Sequence, residues 1–145
     1  MKKNIIIYTV VLLFFSSILL FCEKLDEESL YDYFSGKYRL IGKKVNSNET
    51  YTGEIYLITK KSYLKIKRII NGFETNGIGK IEYSIYENIP VLKIKFKENG
   101  IEYEGEFIWF SDFDNYPRIS GFIKIKGSET NTPGLEAFFV MIEDH

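Results

Sequence analysis

Few residues in this sequence have the type and spacing that reaction chemistry needs. The only cysteine, Cys22, has no second thiol with which to form a disulfide or share a metal. The only histidine, His145, is the last residue, where chain ends fray, so it reads as a solvated side chain and not as a general base. Glu102, Glu104 and Glu106 alternate along one segment, with Lys97, Lys95 and Lys93 at matching positions in the segment before it. That pattern makes a salt-bridged surface and not an acid–base pair. Asp112 and Asp114 lie in a turn cluster, where aspartate serves its own backbone, and they offer too few oxygens for calcium. No glycine-rich phosphate loop and no nucleophile motif is present. The expectation is a protein that is not an enzyme, with no catalytic residue, metal or cofactor.

Binding chemistry is better represented. Arg68 falls on an inward position of a strand, and a buried charge must be paired or face a wet cavity. The alternative is a strand end open to solvent from which Arg68 snorkels. Tyr38, Tyr83, Tyr103 and Trp109 also fall on inward positions and are candidates to line a cup, with ordinary core packing as the plain alternative.

What places these residues is a set of strands. Asn99-Gly100 between alternating runs predicts a two-residue type I′ turn. It puts Lys97, Lys95 and Lys93 opposite Glu102, Glu104 and Glu106 on one face, and Phe96, Ile94 and Leu92 opposite Tyr103, Gly105 and Phe107 on the other. Asn71-Gly72 predicts a second hairpin in which Arg68 faces Thr75, Ile66 faces Gly77 and Leu64 faces Gly79. A turn over Thr59 to Ser62 sets Leu57 opposite Leu64, Ile55 opposite Ile66 and Glu54 against Lys67, with Arg68 near Gly53. Turn clusters bound further strands at about 101–111, 118–127 and 135–143. With a strand ending near Glu87, one at 91–97 and a first strand at 37–43, the count is eight. Eight meandering antiparallel strands can close into an all-β, up-and-down barrel without edges. Gly53, Gly77, Gly79, Gly105 and Gly121 fall inward, where glycine suits strong coiling. The lysines and glutamates of the outward face exclude a barrel that spans lipid.

The first 22 residues, MKKNIIIYTVVLLFFSSILLFC, form a basic start, an apolar run and Cys22. This is the layout of an export signal. Ile18-Leu19-Leu20-Phe21-Cys22 resembles a bacterial lipobox in having Leu19 three places before the cysteine, and departs from it at Phe21, where a small residue is usual. The resemblance implies cleavage before Cys22 and acyl (palmitate-type) lipid on it. An uncleaved helix of about 18 residues would also reach across a bilayer. Plain secretory cleavage lacks its pair of small residues. Each reading puts the domain outside the cytoplasm. Removal of residues 1–21 leaves 124 residues, the size of one domain. Their net charge of −3, with no clustered basic patch, argues against a nucleic-acid partner.

Asp26 to Phe34 reads as a short helix, followed by Gly36-Lys37-Tyr38 at the start of the first strand. This resembles the opening of a lipocalin, a helical turn before a Gly-x-Trp motif, with tyrosine in place of tryptophan. The long Gly42 to Thr50 connection is similar to the loop that lids the lipocalin cup. The resemblance implies a calycin-like barrel across residues 30–143. The chain therefore divides into a signal peptide (1–21), a tether and short helix (22–35) and a barrel (36–145). The expected function is a cell-envelope lipoprotein, anchored to a membrane through Cys22 and facing the periplasm or the exterior. Its barrel would be a non-catalytic binding module for a small, partly apolar ligand. The alternative is a solid barrel that binds an envelope or host protein.

Overall fold

The computed structural model describes residues 27–84, 89–111 and 117–141. The expected signal or anchor helix, Cys22, Asp112, Asp114 and His145 lie outside them. The described chain is one short helix, α1 (Glu27–Phe34), and eight strands: β1 (Gly36–Lys43), β2 (Thr50–Lys60), β3 (Tyr63–Ile70), β4 (Phe73–Tyr83), β5 (Pro90–Glu98), β6 (Ile101–Ser111), β7 (Pro117–Ile125) and β8 (Gly134–Val140). Each strand pairs antiparallel with the next, and β1 pairs with β8, so the sheet is a closed up-and-down barrel. Among the described residues no helix is long and apolar enough to cross a membrane.

Both Asn-Gly turns form as the sequence predicts. Asn71 and Gly72 have φ of 51° and 81°, Asn99 and Gly100 have 50° and 82°, the paired positive values of a type I′ turn. The hairpins they close have the expected partners, Arg68 with Thr75 and Lys97 with Glu102. The β2–β3 register differs from expectation by two residues. Lys60 pairs with Tyr63, so the turn is the tight pair Lys61-Ser62 and not Thr59 to Ser62. Leu57 therefore faces Ile66, and Arg68 faces Ile55, while Gly53 faces Ile70. Glu54 turns to Lys37 on β1 at 3.1 Å, and Lys67 to Glu74 on β4 at 2.9 Å. A shift of two preserves which side chains point inward, so the core face is unchanged.

The interior is occupied by side chains. Leu40, Ile55, Leu64, Ile66, Leu92, Ile94, Phe107 and Phe138 have no exposed surface, and Phe107 packs on Phe138 at 4.8 Å between ring centres. Burial of each such side chain contributes about 1.5–3 kcal/mol. The helix closes one end. Phe34 inserts its ring edge-on to Trp109 at 4.4 Å, and the Tyr38 hydroxyl donates to the Phe34 carbonyl at 2.8 Å. The Thr59 hydroxyl donates to the Tyr31 carbonyl at 2.9 Å, which ties the helix to β2 as well. At the other end, the loop after β1 is stitched to the loop before β8: the Asn46 amide donates to the Thr132 carbonyl at 2.9 Å, and the Thr132 amide donates to Asn46 Oδ1 at 3.1 Å.

Candidate functional site

The one charged pair in the described interior lies towards the end opposite α1. Arg68 on β3 and Glu136 on β8 both point inward, with 1% and 3% of their surface exposed. Arg68 Nη1 donates to Glu136 Oε2 at 2.8 Å and Nη2 to Oε1 at 2.6 Å, a bidentate fork. The Tyr51 hydroxyl donates to the same Oε1. The guanidinium also lies over the Phe96 ring at 4.1 Å, and Phe96 stacks on Tyr103 at 5.2 Å. Arg68 Nε has no partner.

Backbone geometry explains how Tyr51 reaches Glu136. Gly42 on β1 stands between them, paired with Tyr51 on one side and Glu136 on the other. A Cβ on Gly42 would lie 2.5 Å from Tyr51 Cζ, so only glycine lets the ring cross the strand. Electrostatics follow from this packing. Burial alone would lower the pKa of Arg68, but the Glu136 carboxylate and Tyr51 outweigh it and raise the pKa. Tyr51 is raised well above the ordinary phenol range by burial first and by the adjacent Glu136 charge second. Arg68 is thus held as a cation. The arrangement ties β3, β8 and β2 together through one buried carboxylate.

Of the predicted binding residues, Arg68 is where the sequence places it and is buried and paired, not snorkelling. Tyr103 is half-buried at the same end, on Phe96. Tyr38 and Trp109 sit at the helix end, packed on α1. Burial pushes the Tyr38 hydroxyl up to about 12. Tyr83 ends β4 beyond the packed interior and is 47% exposed. The five therefore divide between two ends of the barrel and form no common site. Sequence reasoning missed Glu136 and Tyr51. The signal available for Glu136 was the charge of Arg68, which needs a buried acid.

The outer surface is not uniform. Ion pairs run over much of it, from Lys67–Glu74 and Lys93–Glu82 on β3 to β5 to Lys124–Glu104 between β7 and β6. On β1, β8, β7 and β6 it carries Ile41, Leu135, Phe122 and Ile108, each 37–55% exposed. Register makes these contiguous. Ile41, Ala137, Ser120 and Ile108 form one row across four strands, and Leu135 faces Phe122 beside it. The sequence matches no protein-family model and none of the curated proteins. What the chain could bind must therefore be argued from its surfaces.

Proposed function

We propose that the protein is a cell-envelope lipoprotein, tethered by lipid on Cys22, whose barrel is a non-catalytic module that binds an envelope or host protein through its outer surface. The observation that carries this reading is the apolar row Ile41–Ala137–Ser120–Ile108 with Leu135 and Phe122 beside it. Contiguous exposed apolar surface marks interaction sites on soluble proteins. The filled interior supports the same reading, because an eight-stranded barrel packed with side chains leaves its binding to its outside.

A photo-crosslinking amino acid at Ile41, compared with one at Lys67, tests it in living cells. A discrete protein adduct from position 41 and none from position 67 is expected. Equal labelling at both would defeat the proposal. The mass of the mature protein tests the anchor, and an N-terminus at Met1 would exclude lipid on Cys22.

One observation favours the calycin-like cup as a second reading. The interior polar groups gather under half-buried Tyr51 and Tyr103, at the end that α1 does not close, with the Arg68 Nε–H lacking an acceptor. Native mass spectrometry of protein from its own cells decides between the two. A co-purifying small molecule that is lost in Arg68→Met supports the cup.

A further inference from the structure

The outer face of β4, β5 and the start of β6 holds a concavity of about 650 Å3. Its walls include Lys80, Lys93, Lys95, Lys97 and Lys126 but only two acids, Glu82 and Glu102, a local charge of +3 on a chain whose net charge is −1. Both acids already have partners: Glu82 holds Lys93 at 2.9 Å and Glu102 holds Lys126 at 2.8 Å. The register faces Lys97 with Glu102 and Lys95 with Glu104, yet Glu104 turns instead to Lys124 at 3.5 Å. Among the described residues, Lys80, Lys95 and Lys97 are left with no carboxylate within ion-pair distance.

Lys80 also stands directly opposite Lys93 across β4 and β5. Like charges placed so are destabilising, and here Glu82 and Glu106 answer Lys93 and leave Lys80 to other partners. Ile78, half exposed, adds an apolar patch to the same wall. Three ammonium groups without a carboxylate partner among the described residues, around one hollow, suit a multiply charged anion. A phosphoryl group offers three strong acceptor oxygens and nearly two charges. Lysine ammoniums act on it as point charges, without the fixed geometry an arginine fork demands.

We propose that this groove binds a phosphorylated organic anion of the size of a lipid headgroup or a glycerol phosphate, its phosphoryl oxygens on Lys80, Lys95 and Lys97 and its carbon skeleton against Ile78. The three lysines lie on β4 and β5, strands that take no part in the protein-binding row, so either can fail alone.

The test uses the full chain in non-ionic detergent and four probes: phosphatidic acid mixed micelles, phosphatidylcholine mixed micelles, glycerol 1-phosphate and inorganic phosphate. Each lysine near an anionic surface contributes a factor of about five, so K80Q/K95Q/K97Q should weaken binding roughly 100-fold. K44Q/K60Q/K61Q, which removes the same charge elsewhere, should leave it unchanged, and thermal unfolding of both variants verifies the fold. Saturable binding of glycerol 1-phosphate assigns a soluble phosphate ester, and binding of phosphatidic acid alone assigns a lipid headgroup; both support the site. Equal loss in the two triple variants overturns it. So does inorganic phosphate binding as tightly as either ester, equal binding of both micelles, or no probe binding below about 1 mM.

Discussion

Replacing Glu136 by Gln would leave the Arg68 guanidinium charged where only 1% of its surface meets water. The fork of 2.6 and 2.8 Å bonds would lose its negative partner, and half of the new amide would present N–H groups to N–H groups. Removing one member of a buried ion pair costs about 3–5 kcal/mol, because the other charge stays behind. For a domain of this size each kcal/mol is worth about 4 °C, so the midpoint should fall by about 12–20 °C. The double variant Arg68→Met, Glu136→Leu removes both charges and keeps apolar volume, and should recover to within about 2 kcal/mol of the parent. Urea and thermal unfolding followed by circular dichroism measure all three proteins. A loss below about 1 kcal/mol in Glu136→Gln would mean that water reaches the pair. A double variant as unstable as the single one would show that isolated charge is not the cause.

Tyr51→Phe removes a hydrogen bond to a charged acceptor and should cost about 1.5–3 kcal/mol by urea unfolding. Gly42→Ala should cost a similar amount by displacing the same ring, so the double variant should be markedly less than additive; full additivity would break the link. Gly121→Ala, whose Cβ would lie 2.0 Å from the Glu106 carbonyl, should lose about 3 kcal/mol or more, whereas Gly79→Ala meets only side chains at 3.2–3.4 Å and should lose about 1 kcal/mol or less. In alkali the unfolded chain releases the Tyr38 proton near pH 10, while the folded protein keeps it to about 12. The contribution of Tyr38 to stability should therefore be complete below pH 10 and fall by about 2–3 kcal/mol as the pH rises to 12. Tyr51, raised in the same direction, lowers stability over the same range, so Tyr38→Phe should make the fall shallower without abolishing it, and an unchanged slope in the variant would refute the assignment.

The fold was legible wherever a turn had a chemical signature. Asn71-Gly72 and Asn99-Gly100 admit essentially one geometry, and each carried its hairpin register with it. Thr59-Lys60-Lys61-Ser62 has no such marker, so the turn length was open and the register settled two residues away, with the core face intact because the shift is even. The central pair was half legible. Arg68 could be placed from its own hairpin, but Glu136 sits on a strand whose other face, Leu135, Ala137 and Phe139, is the more apolar one. Periodicity there points the wrong residues inward. The lysine cluster was hidden for a related reason. Lys80, Lys95 and Lys97 are separated in sequence by alternation and a loop, and it is the β4–β5 register, with Lys80 opposite Lys93 and Ile78 opposite Lys95, that brings them to one hollow.

Pairing of β1 with β8 means that the first and last strands are each other's missing neighbour. Arg68 and Glu136, 68 positions apart, obey the same order of events. A chain emerging from its amino end holds open sheet edges and an unanswered guanidinium until β8 arrives. The barrel thus has a completion step that comes last, high contact order that slows it, and little reward for partial success. Nascent or truncated chains that stop before residue 134 should remain recognisable to chaperones and proteases as unfinished, so the final strand acts as the quality mark of the whole domain.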